Sequence, residues 1–212
     1  YIGLAHYLAK NGVKYNEKGA WELVDRLSEA FQYHLLRASC DLAKEKGKCE
    51  GFERTKYADG LLPIDHYKKE IDEIVPHKQR MAWESLRKDI AKYGLRHSTL
   101  SAQMPSESSS VVSNETNGIE PPRAMLQIKK SKKGPLKQIA PGFPKLKNDY
   151  TLLWDMPSNQ GYINVVAMMQ KYFDQAISGN WSYNPLQFEN NEVPLSVMAQ
   201  DMLMAYKYGW KT

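Results

Sequence analysis

The residue that most constrains this chain is Pro105, which stands between the apolar run at 95–103 and the serine-rich stretch at 106–112. Proline has no N–H and a fixed φ, so it ends strand pairing but suits the entry to a helix. LRHSTLSAQMPSESSSVV (95–112) therefore reads as a buried strand, a turn and a helix. The first-turn amides and up to four serine hydroxyls project from that helix start. Unpaired N–H groups and the positive dipole end there suit an anion such as phosphate. The residues alone also admit a plainer reading, in which Ser106 is an N-cap and the other serines are loop polarity.

Around this unit, hydrophobic periodicity predicts helices. Residues 2–10 form one, ended by Asn11-Gly12. Residues 20–46 form a long one, with Leu23, Leu27, Phe31, Leu35, Ala38 and Leu42 as its apolar stripe. Glu22, Arg26, Glu29, Arg37 and Lys44 lie largely off that stripe, and Gly47 ends the helix. Asp65 caps a short helix through Val75, stopped by Pro76. Residues 81–93 carry Trp83, Leu86 and Ile90 on one face and close at Gly94. Further helices are expected at 149–155, 161–173 and 195–208, with a strand at 175–183. The runs 124–130 and 136–140 flank Ser131-Lys132-Lys133-Gly134 as a basic β-hairpin. Strands set between helices favour an α/β class over a helical bundle. Two strands and a hairpin cannot complete a sheet core, so we expect a missing partner segment or further strands.

The chain has 212 residues, 42% of them hydrophobic, with 29 Lys+Arg against 24 Asp+Glu, which fits one globular segment over 1–212. Its apolar stretches fall far short of the roughly 20 residues of a spanning helix. Cys40 and Cys49 sit in neither a zinc-ligand nor a disulfide pattern, so a reducing compartment is expected. The chain opens at Tyr1 with no signal pattern and reads from its first residues like the inside of a helix, the mark of a piece of a larger polypeptide. Lys129, Lys130, Lys132, Lys133, Lys137, Lys145 and Lys147 have no aromatic among them before Phe143. They are read as solvated edge lysines rather than a nucleic-acid surface. His6, His34, His66, His77 and His97 share no metal spacing. Met168, Met169, Met198, Met202 and Met204 are expected to fill core gaps.

Trp83, Leu86, Gly94, Leu95, Arg96, His97, Ser101, Ala102 and Pro105 fall at the spacing of the signature of the large, catalytic subunit of ribonucleotide reductase. The flanking SNETNGIEPPR, the upstream GLLPIDHYKK, and the downstream DYTLLWDMPSNQGY and AYKYGWKT resemble the bacterial and bacteriophage branch of the class I enzyme. The resemblance runs essentially from end to end. It implies the second half of a ten-stranded α/β barrel, helix-rich, in a cytoplasmic enzyme (host cytoplasm if phage-encoded) that reduces ribonucleoside diphosphates by radical chemistry.

The same resemblance implies a substrate-phosphate loop at Pro105, Ser106, Glu107, Ser108 and Ser109. Ser108 replaces the threonine of many bacterial relatives and keeps the hydroxyl. No catalytic or metal-ligating residue and no cofactor fall in this segment. The family's thiyl-radical cysteine, redox cysteines and tail cysteines are implied elsewhere, and its relay tyrosines just beyond Thr212. The implied partners are the substrate diphosphate, the complementary N-terminal part of the subunit, a second large subunit and a small subunit carrying a dimetal or radical centre. Allosteric nucleotides are implied to bind elsewhere, and no membrane is implied. The alternative is a non-catalytic assembly module of a split or truncated subunit. Parallel strands lacking neighbours would make the isolated chain aggregation-prone.

Overall fold

Helix α6 (Gln160–Gln170) is largely apolar, and each of its residues from Gly161 onward is buried, Asn164 and Gln170 included, as expected of a helix at the centre of a fold. The computed structural model describes residues 1–131 and 134–211. Seven α-helices occur among them: α1 (Leu4–Lys10), α2 (Lys18–Lys46), α3 (Pro63–His66), α4 (Trp83–Tyr93), α5 (Glu107–Val112), α6 and α7 (Leu195–Lys207). α2 and α7 pack on α6, and α4 packs on α2. Gly161 is required where α6 meets the loop after α1, because a Cβ there would stand 2.7 Å from the Tyr15 carbonyl oxygen. One core surrounds α6 and includes Leu4, Leu8, Val24, Ile71 and Trp210. A second joins Leu36, Cys40, Trp83, Leu86, Ile90, Leu95 and Tyr172.

The long helix α2 overturns the expected orientation. Its buried residues include Asp25, Ser28, Glu29, Gln32 and Ser39, whereas Leu23, Leu27, Leu35 and Leu42 are half-buried and Phe31 and Ala38 are exposed. Burying carboxylates costs several kcal/mol unless they are paired, and distant residues supply the pairs. Asp25 accepts from Lys171 Nζ at 3.0 Å, the Tyr172 hydroxyl at 3.0 Å and Arg80 Nη1 at 2.8 Å. Glu29 accepts from Arg80 Nη1 at 2.9 Å, the Arg80 amide at 2.8 Å and Trp83 Nε1 at 3.0 Å. Glu29 is therefore a core residue rather than a solvated one.

The two expected core strands are not ladders. Segments 95–103 and 175–183 run side by side, with the Gln175 amide on the Ser101 carbonyl (3.0 Å) and the Ser178 amide on the Gln103 carbonyl (3.1 Å). They form a single parallel bridge, Gln103 to Ile177. Residues 96–99 are exposed, and the amides of Leu100 and Ser101 bind a side chain instead. The regular ladder among the described residues is antiparallel, β1 (Leu126–Ser131) against β2 (Gly134–Ile139), from Leu126–Ile139 to Ser131–Gly134. Lys132 and Lys133, placed in the expected turn, lie outside the described residues.

Other differences are local. The helix expected from Asp65 to Val75 is instead α3 followed by a 3-10 turn at Lys69–Glu73. Pro63 opens α3, and Asp65 accepts the Leu62 amide at 2.7 Å from within the helix. At 149–155 only the 3-10 turn Leu153–Asp155 forms, because the Leu153 amide is taken by the Pro122 carbonyl at 2.9 Å. Met168 and Met169 fill the core as expected, but Met198 and Met202 are exposed on α7 beside Leu195, Leu203 and Tyr206. Among the described residues no helix is long and apolar enough to cross a membrane.

Candidate functional site

Ser106 is the N-cap of α5 by position, yet its side chain makes no capping bond. Its hydroxyl is buried and without a hydrogen-bond partner. Ordinary capping therefore does not account for it, and a buried hydroxyl left unpaired calls for an explanation. Pro105 precedes it on the surface, and Glu107, Ser108 and Ser109 are exposed on the first turn. Ser110 turns inward and donates to the Glu107 carbonyl at 2.9 Å. Of the four serines expected to project, this one is used inside the turn.

The chain folds back over the loop to enclose Ser106. Asn114 adopts a positive φ of 51°, the Glu115 amide bonds the Ser110 carbonyl at 2.9 Å, and Gly118, at φ +48°, crosses Ser106. A Cβ on Gly118 would lie 3.0 Å from the Ser106 hydroxyl oxygen. Beside the loop is a cavity of about 80 Å³, lined in part by Pro105, Glu107, Asn117, Glu120 and Arg123. Glu120 accepts from Asn117 (3.1 Å) and Asn180 (2.7 Å).

The segment leading into the loop is held by a residue that sequence reasoning did not single out. Asp174 Oδ2 accepts the amides of Leu100 at 2.7 Å and Ser101 at 3.3 Å. Its Oδ1 accepts Gln32 Nε2 at 3.2 Å and the Tyr57 hydroxyl. In return the Asp174 amide donates to the Ser101 hydroxyl at 2.9 Å. Burial and the adjacent Asp174 charge push the Tyr57 hydroxyl far above the usual tyrosine range, so it stays a donor. Downstream, Gln103 Nε2 donates to the Met104 carbonyl at 3.0 Å. Asp174 lies 73 residues from Ser101 in sequence, and no local pattern marks it.

Both cysteines are free. Burial pushes the Cys40 thiol up from its ordinary value, which disfavours the thiolate that redox and nucleophilic chemistry need. Lys137, Lys145 and Lys147 are exposed, as read for solvated lysines. No group of three or more His, Cys, Asp or Glu able to hold a metal occurs among the described residues.

The family model described as "Ribonucleotide reductase, barrel domain" matches residues 1–152 and 143–212. The "Ribonucleoside-diphosphate reductase subunit alpha" of Haemophilus influenzae is 56% identical over 211 residues, covering 100% of this chain and 28% of its own length. The "Ribonucleoside-diphosphate reductase 1 subunit alpha" of Escherichia coli is 51% identical, with the same coverage. The subunit alpha of Enterobacteria phage T4 is 42% identical over 215 residues, covering 99% of this chain and 28% of its own. The chain thus spans just over a quarter of the length of these relatives.

Proposed function

The chain belongs to the ribonucleotide reductase barrel-domain family, and from that membership we propose that it is part of a large subunit that reduces ribonucleoside diphosphates to deoxyribonucleoside diphosphates. Its share of the work is the grip on the substrate diphosphate, together with scaffold from the second half of a ten-stranded α/β barrel. Turnover needs the complementary part of the large subunit, a second large subunit and a radical-generating small subunit, all in the cytoplasm. The small subunit supplies the dimetal or radical centre, and allosteric nucleotides bind outside this segment.

The observation that carries the reading is the buried, unpartnered Ser106 hydroxyl at the head of a turn that exposes Ser108 and Ser109. Ser106, Ser108 and Ser109 thus bring three hydroxyls to the start of this turn, donors of the kind a diphosphate requires. Pro105 fixes the entry, and Glu107 occupies the first helical position. The loop contains no cysteine, so in this reading it orients the substrate and carries no radical or covalent step. Holding the diphosphate sets the ribose against chemistry supplied from elsewhere in the subunit, and much of the barrier can come from such positioning.

The test replaces Ser106 and Ser108 by alanine in the complete large subunit. Each lost hydrogen bond to a charged phosphate is worth about 1.5–3 kcal/mol. Substrate diphosphate should bind at least tenfold more weakly per site, with KM rising more than kcat falls. Unchanged affinity in a folded subunit would favour the assembly-module alternative.

A further inference from the structure

We propose that a basic cavity separate from the serine loop binds a small phosphate-bearing anion. The cavity, of about 290 Å³, is lined by Arg54, Lys56, His66, Ser98, Thr99 and Lys211, with Asp174 at its wall. It shares no residue with positions 105–109. Its cations come from two parts of the chain, the turns after α2 and the segment after α7, and His66 joins them from the end of α3.

Charge is the first argument. Arg54, Lys56 and Lys211 make no ion pair among the described residues, whereas Arg37, Lys48, Arg80, Arg87, Lys171 and Lys207 each have an acid within reach. The acid at the wall does not neutralise them. Both oxygens of Asp174 already accept two bonds each from neutral donors, which fills the acceptor capacity of a carboxylate. Three cations against one committed acid leave a net positive cleft, and such a cleft raises the local concentration of anions.

Proximity is the second argument. Lys56 and Lys211 both line the cavity with His66, and burial and then their charges hold His66 below its ordinary range. Like charges gathered from distant parts of a chain repel, and an anion between them removes that cost. Ser98 and Thr99 offer hydroxyls to phosphate oxygens. Thr99 Oγ1 accepts from Gln175 Nε2 at 3.0 Å, which leaves its own O–H to donate. An open cleft near the lower end of the usual ligand-pocket range in volume suits a small polyanion rather than a macromolecule.

The occupant could be free polyphosphate or the phosphate tail of a nucleotide, and the experiment separates them. The complete large subunit is prepared with Ser106→Ala and Ser108→Ala, so that the loop contributes little, and titrated calorimetrically with pyrophosphate, tripolyphosphate and a nucleoside triphosphate. Saturable binding should persist in this background, and adding Lys56→Ala with Lys211→Ala should weaken it at least tenfold. Both lysines are exposed, so this variant should keep the thermal unfolding profile of its parent. Only the component of binding lost with Lys56 and Lys211 is compared, since nucleotides also bind outside this segment: a nucleotide component no tighter than that of tripolyphosphate identifies free polyphosphate as the occupant, and a tighter one identifies the nucleotide tail. Either result supports the site. Absence of saturable binding, or affinity indifferent to the two lysines, overturns it. Neither result bears on the serine loop, which is judged by substrate binding with the loop intact.

Discussion

Replacing Asp174 by asparagine tests how the serine loop is held in place. The carboxylate offers two oxygens to four donors, the amides of Leu100 and Ser101 on one side and Gln32 and Tyr57 on the other. Asparagine turns one oxygen into an NH2 group, so in either orientation two donors face a donor. The bonds that remain also lose the help of the charge. Two charge-assisted hydrogen bonds at about 1.5–3 kcal/mol each give a loss of at least about 3 kcal/mol. With about 1.4 kcal/mol per factor of ten, amide protection in this segment should fall by about a hundredfold. Hydrogen exchange followed by mass spectrometry on the complete subunit reads this in peptides covering 96–105, with α4 peptides as the control. The same variant should raise the substrate KM, because the loosened segment leads directly into Pro105. If exchange at 96–105 stays within threefold of the parent and KM does not move, Asp174 does not position the loop.

Two further outcomes follow from charged groups elsewhere. Lys171→Met leaves the fully buried Asp25 with Arg80 and Tyr172 as partners and should cost about 3–5 kcal/mol in urea denaturation. Adding Asp25→Asn should recover part of that loss, and strictly additive losses would count against a coupled network. Arg87, followed by the Leu62 amide, holds the Asp65 carboxyl below its ordinary value. The stability this gives is fully present above the unfolded carboxylate pKa of about 3.9 and is lost as pH falls through the lower folded value. Denaturation midpoints of Asp65→Asn and the parent should therefore converge on acidification through that window, and a gap independent of pH would remove the ionic explanation.

Sequence alone located α1, α2, α4, α6 and α7 to within a few residues, because helix formation is local. Apolar spacing of three and four, with glycine at positions 47 and 94 in left-handed or related conformations, is written within a single turn's reach. It also placed the short helix α5 after Pro105, because proline and serine chemistry act on their immediate neighbours. What tertiary structure decided was which face of a helix is inside and which amides are paired across the fold. Helix α2 hides Asp25 and Glu29 because Arg80 and Lys171 reach them from 55 and 146 residues away, and periodicity counts those carboxylates as solvated. The run at 95–103 reads as a strand by composition, but a ladder needs a neighbour's backbone, and here a side-chain carboxylate takes two of its amides. Asp174 was invisible for the same reason: its partners Gln32, Tyr57, Leu100 and Ser101 meet only once the chain has folded, and the energy of a buried charge is set by those partners rather than by its neighbours in sequence.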